Sequence, residues 1–352
     1  MRATCADVNK FFSLLVLVCV AFCAMPAQAV FINGQNYVSL ADWARGNGFY
    51  GFTRNRGDEV VLTNKTSRLV FGTDSADSKI NGVNVRLSFP VAKGALISQL
   101  DLDTTIKPLV FPQKPSVKKI TTICLDPGHG GKDTGNRVSG FFWHNEKTYT
   151  LLLAFELHDE LEKLGFNVIL TRNSDRFFEL PARPASANHA GADLFISLHF
   201  NATQIDKNEV AGPETYCITP VGANSSNASV ESSEYGGGSS GGPTIANRSE
   251  QKSLLLAYQI QKSLVQNLNV NDRSVRHARF AVLRDAAMPA ILIEGGYMTN
   301  PTEGKKIYDS AYRKQMASAI VKGILAYQKL TAPPMIPPKP HMPNHPSGKH
   351  SP

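Results

Sequence analysis

From residue 120 onward the chain alternates two kinds of segment, and that alternation limits the folds open to it. Short apolar runs at 120–125, 166–170, 194–198, 215–219, 280–283 and 290–293 read as strands. Between and after them, 146–164, 184–190, 249–268 and 311–330 carry helical periodicity. Strands that are apolar without alternation are buried on both faces, and helices in the crossovers supply the cover. The pattern therefore predicts an α/β domain over 120–330, with a mixed, mainly parallel sheet covered by helices.

Residues 30–110 follow another pattern. Ile32-Asn33-Gly34 and Ile80-Asn81-Gly82 each precede alternating apolar residues, and Asn-Gly in that setting predicts a tight hairpin. A short helix is expected over 40–49 and a strand pair over 59–71, giving a small β-rich α+β domain. Its acids, Asp42, Asp58, Glu59, Asp74 and Asp77, are scattered, which suits a binding or positioning module better than a catalytic one. Pro108, Pro112 and Pro115, with Lys114, Lys118 and Lys119, mark 111–119 as a stiff linker.

The chain opens with Arg2 and Lys10, then 14 uncharged residues at 11–24, then Ala27-Gln28-Ala29. That order describes a cleavable signal peptide over 1–29. Fourteen residues are too few to cross about 30 Å of hydrocarbon as a helix, so the product is expected not to span a membrane. Export to the periplasm is expected, with secretion to the cell wall as the alternative. Of five cysteines only Cys124 and Cys217 remain after cleavage, and both sit in apolar runs. Buried thiols are expected rather than a disulfide between them. A monomer is the default.

The segment 222–243 holds seven Ser and six Gly in 22 residues and reads as a mobile loop inside the α/β domain. The tail, 331–352, holds eight Pro and no acid, and reads as disordered. A net charge of +8 favours an anionic partner. Nucleic acid is excluded because the charge is dispersed and no recognition motif appears.

Chemistry concentrates where predicted strands end beside glycines. Asp126-Pro127-Gly128-His129-Gly130-Gly131 follows the first strand, Ser197-Leu198-His199 closes another, and Ile293-Glu294-Gly295-Gly296 a third. Glu146 opens the first long helix. Two histidines and a glutamate match the ligand set of catalytic zinc, which leaves one coordination position open. A further carboxylate, Glu294, would then be the acid–base group. The ligands lie 17 and 53 residues apart, so no short helical pair announces them. Asp126 has two readings, an orienting partner for a ligand imidazole or a cap on the turn. His144, His189 and His158 match no ligand position.

Four stretches in order resemble the zinc-dependent N-acetylmuramoyl-L-alanine amidases of the amidase 3 family. They are Asp126–Asp133, Asn145-Glu146-Lys147, Ser197-Leu-His-Phe-Asn-Ala and Ile293-Glu-Gly-Gly-Tyr-Met-Thr-Asn300, with Arg172, Arg183 and Val282-Leu283-Arg284 fitting the same pattern. The resemblance implies one zinc ion held by His129, Glu146 and His199, with Glu294 catalytic. It implies a peptidoglycan hydrolase that cleaves the amide between the lactyl group of N-acetylmuramic acid and L-alanine. Residues 30–110 resemble, in their pattern of elements, the small domains at the N-termini of copper amine oxidases. The long Ser/Gly loop departs from a minimal family member. It is expected to gate the site, with Glu231 or Glu234 reaching the metal until an activator protein acts on 222–243. Competing readings are a zinc carboxypeptidase acting on stem peptides, and a wall-binding protein that has lost catalysis.

Overall fold

The computed structural model describes residues 29–54, 59–112, 119–140, 143–225 and 242–332. The expected signal peptide, most of 111–119, Glu231 and Glu234 with most of their loop, and the tail beyond 332 lie outside these residues.

In the N-terminal half, β1 (Val30–Ile32) and β2 (Gln35–Ser39) form the first predicted hairpin. Helix α1 (Leu40–Gly46) follows, capped by the Ser39 hydroxyl. A meander then runs through β3 (Gly51–Arg54), β4 (Glu59–Thr63), β5 (Arg68–Gly72), β6 (Ser75–Ile80) and β7 (Val83–Val91). Asn81 and Gly82, which turn β6 into β7, have φ of 48° and 87°. Both central residues of such a turn need positive φ, which Asn-Gly supplies at least cost. β8 (Leu96–Ser98) returns to pair with β2. A helical stretch that the sequence pattern did not isolate closes this half: α2 (Gln99–Asp101), a π-helical turn (Leu102–Ile106) and α3 (Lys107–Val110).

The second half contains β9 (Thr122–Pro127), a hairpin of β10 (Arg137–Val138) and β11 (His144–Asn145), and α4 (Glu146–Lys163). After these come β12 (Asn167–Leu170), α5 (Ala182–His189), β13 (Leu194–Asn201) and β14 (Glu214–Ile218). The chain ends with α6 (Glu250–Leu268), β15 (Val275–Ala278), α7 (Ala281–Arg284), β16 (Ala290–Tyr297), α8 (Pro301–Tyr308) and α9 (Ser310–Thr331). One expectation is corrected. Residues 280–283 are not a strand: the strand is β15, and Ala281–Arg284 is a helical turn with Ala281, Val282 and Leu283 buried. A four-residue apolar run has no periodicity to separate the two states.

Eleven strands make one sheet in the order β12-β9-β13-β16-β14-β15-β7-β6-β5-β4-β3. Its second half is mainly parallel, with β14 antiparallel to β16. The fold is mixed α/β, as the alternation of segments predicts. The β-rich N-terminal segment is not set apart from it. β7 pairs with β15 through Val85 and Val275, the Asn84 backbone N–H donates to Asp272 at 2.7 Å, and the Tyr258 hydroxyl donates to the Ile80 carbonyl at 2.9 Å. Beneath one face, Leu40, Phe71, Ile80 and Val85 share a core with Leu157, Leu256, Ile260 and Ile324. A second apolar cluster, with Phe195, Tyr216, Leu283 and Leu292, covers the opposite face in the C-terminal half alone. Cys124 and Cys217 are free and buried. No helix among the described residues is long and apolar enough to cross a membrane.

Candidate active site

Strand β9 ends at Asp126-Pro127, and the backbone then turns so that His129 takes φ 62°. A side chain with a Cβ resists that conformation, so surrounding contacts must hold it. Two buried arginines do. Arg172 donates to the carbonyls of Pro127 (2.9 Å) and Gly128 (2.8 Å), and Arg183 to those of Pro127 (3.0 Å) and His129 (2.9 Å). Arg183 is itself compensated by Asp126 at 2.8 Å. Asp126 also accepts from the Thr171 hydroxyl at 2.6 Å and the Ser197 hydroxyl at 2.8 Å. Burial alone would raise its pKa, but the Arg183 charge and these donors outweigh that and hold the carboxyl below the usual carboxylate range. Neither reading of Asp126 from sequence fits: it anchors the arginine that shapes the loop. The carboxylate that orients an imidazole is Asp133, 2.9 Å from His129 Nδ1.

Glu146 stands between the two histidines. Its Oε2 is 3.1 Å from His129 Nε2, and its Oε1 is 2.9 Å from His199 Nδ1. The backbone N–H groups of Asn136 and Phe200 donate to the same carboxylate at 2.9 and 3.0 Å. The two rings meet edge to face, 4.8 Å apart. Two glycines make room for them. A Cβ on Gly128 would lie 2.2 Å from His199 Cε1, and one on Gly135 would lie 2.6 Å from His129 Cδ2 and 2.7 Å from Glu146 Oε2.

All three side chains are buried, and their ligating atoms lie within 4.8 Å of one another. Burial opposes a charged Glu146, yet both imidazoles overcome it and hold its pKa well below normal. Burial likewise disfavours charge on His129, but Glu146 and Asp133 raise its pKa to about 10. His199 is lowered by burial despite Glu146. Two nitrogens and one carboxylate oxygen fit a divalent ion of the zinc type with a coordination position left open.

Glu294 is the register partner of His199 on the neighbouring parallel strand, and it is buried. Partners at one register project from the same face, so the carboxylate rises beside the cluster. On its other side lies Glu214, paired with Glu294 across β14 and β16. The sequence gives no sign of Glu214. It accepts from the hydroxyls of Tyr216 (2.6 Å) and Tyr297 (3.1 Å) and from Arg273 Nε (2.9 Å). Asp133 was within reach, since it lies four residues from His129 in the same glycine-rich loop. Two other histidines stand apart: His144 stacks on Tyr308 at 3.8 Å, and His158 faces Asp159 and Glu162.

The profile of the amidase 3 family, described as N-acetylmuramoyl-L-alanine amidase, matches residues 123–326. The chain is 35% identical over 220 residues to the N-acetylmuramoyl-L-alanine amidase AmiC of Neisseria meningitidis, covering 58% of this chain and 52% of that protein. It thus spans about half the length of that relative. Over 288 residues it is 30% identical to the amidase AmiA of Salmonella typhimurium, covering 76% of this chain and 94% of that one. Among solved structures, the N-acetylmuramoyl-L-alanine amidase from Clostridium difficile 630 is 31% identical with a TM-score of 0.48, covering 60% of this chain and 98% of that chain.

Proposed function

The chain belongs to the amidase 3 family, and from that footing we propose that it hydrolyses peptidoglycan at the amide between the lactyl group of N-acetylmuramic acid and L-alanine. The observation that carries the reading is Glu146 bridged between His129 and His199, with Glu294 at the same register one strand away. His129, Glu146 and His199 would hold the metal. Bound zinc acts as a Lewis acid and makes water nucleophilic near pH 7. Glu294 takes the proton from the attacking water and passes it to the L-alanine nitrogen as the C–N bond breaks, so the leaving group departs as a neutral amine. Asp133 fixes the tautomer and angle of His129 through Nδ1. Arg172 and Arg183 keep the loop carrying His129 from relaxing.

Three features extend the reading. The start of the sequence supports export to an envelope compartment. The pattern of residues 30–110, like that of the small copper amine oxidase domains, supports a positioning role. The Ser/Gly segment supports control by an activator.

One experiment tests the whole. Purified peptidoglycan is digested with the full chain, with Glu294→Ala and with a variant lacking 224–242, each with and without chelator, and products are read by mass. Intact stem peptides with a free L-alanine amine, lost with chelator and in Glu294→Ala, are expected. Shortened stem peptides in their place would make the protein a carboxypeptidase. Unchanged rates in the deletion would remove the activator.

A further inference from the structure

The face of the sheet that carries Glu294 does not stop at the catalytic half. Register links it strand by strand. Glu294 pairs with Glu214, and Tyr216, on the same face as Glu214, pairs with Arg276. Val275 pairs with Val85, so the residues beside them, Arg276 and Asn84, share the opposite face. Asn84 pairs with Lys79, and Lys79 with Val70. On this face the N-terminal strands carry polar side chains around Val70, whereas their other face lies in the shared core.

Here the sheet forms a groove of about 660 Å³, lined by strands of both halves. Arg68, Lys79, Arg273 and Arg276 bring positive charge to it, and Glu59, Asp77 and Asp272 negative. Its catalytic end is fixed, because Arg273 Nε and Arg276 Nη2 lie 2.9 and 3.6 Å from Glu214, the neighbour of Glu294. Its far end, Arg68 and Lys79, is exposed.

We infer that this groove is the subsite for the stem peptide, with the carboxylates of the peptide on Arg68, Lys79, Arg273 and Arg276; the inference rests on the amidase reading above. A lining of both signs suits a peptide that bears carboxylates and an ammonium, and gives a neutral sugar chain little to bind. None of the groove's lining residues is aromatic, so it lacks the flat apolar surface on which sugar rings stack. The exposed Trp143 stands instead on the hairpin leading into Glu146. The N-terminal half is thereby part of the substrate site, on the same sheet as the catalytic carboxylate.

The probe is the tripeptide L-alanyl-γ-D-glutamyl-diaminopimelate, titrated by calorimetry into the zinc-loaded full chain and into the double variant Arg68→Ser with Lys79→Ser. Both positions are exposed, so the variant is expected to fold. Loss of charge-assisted hydrogen bonds should weaken binding about tenfold. The ratio of kcat/KM for a muramoyl tripeptide to that for muramoyl-L-alanine should fall by a similar factor. Equal tripeptide binding and an unchanged ratio would overturn the groove while leaving the amidase reading intact. Weakened binding of a peptide-free glycan fragment in the variant, with tripeptide binding unchanged, would overturn it as well. If neither the wild type nor a variant lacking 224–242 cuts either substrate, yet the tripeptide binds through these two residues, the groove would stand and the amidase reading would fall.

Discussion

Each half of the sheet buries one aspartate completely, and the two are held in opposite ways. Asp101, in the N-terminal half, receives only neutral donors: the Ser98 hydroxyl at 2.6 Å and the backbone N–H groups of Ser88 and Phe89 at 2.7 and 3.0 Å. Burial dominates there, and its pKa rises. Asp126, in the catalytic half, faces Arg183, and its pKa falls although it is buried just as deeply. The contrast shows what each half is for. Asp101 sews β7 to the following helix with dipoles alone, which sets geometry without a strong local field. Asp126 pairs with an arginine inside the protein, and that arginine holds the carbonyls of Pro127 and His129.

Arg183→Ala should break the contrast most severely. It leaves Asp126 buried without a counter-charge, and removing one partner of a buried pair costs about 3–5 kcal/mol. Denaturant melts should show that loss together with collapse of peptidoglycan hydrolysis. A loss below about 1 kcal/mol would mean that the pair is dispensable. The next effect lies at the seam between the halves. His277 on β15 is buried, and burial pushes its pKa down to about 4 from the ordinary 6.5. Between those values the unfolded chain binds a proton that the folded one refuses. Stability should therefore be full above pH 6.5 and fall by up to about 3 kcal/mol as pH drops to 4. Melts across that range should flatten in His277→Gln. The smallest effect is expected from Asp101→Asn, about 1 kcal/mol with activity retained, because its partners are neutral already. A loss as large as that of Arg183→Ala would erase the distinction between the two aspartates.

What could be read from sequence follows the distance over which each feature is determined. The Asn-Gly turns at 33–34 and 81–82 are decided by two residues and their neighbours, and both hairpins form. The pairing of Val85 with Val275 joins residues far apart in the chain, and no local pattern encodes it. His129, Glu146, His199 and Glu294 were legible because glycines and strand ends frame them and because their wording resembles a family. Asp126 and Asp133 were both visible, but which one reaches the imidazole depends on where Arg183 comes in from α5. Glu214 had no flag of any kind. Its place is set by an antiparallel strand inserted beside a parallel one.

The junction of β7 with β15 bears on how the protein avoids sticking to itself. β15 would otherwise be the outer strand of the catalytic sheet, presenting a row of backbone donors and acceptors to any passing chain. With β7 laid along it, the open side of the sheet moves to β3 (Gly51–Arg54), only four residues long. The N-terminal strands also close over Tyr258 of α6, whose hydroxyl donates to the Ile80 carbonyl. A catalytic half cut free at residue 120 would thus carry a sticky margin into solution, and the hairpins ahead of it serve as its selvedge.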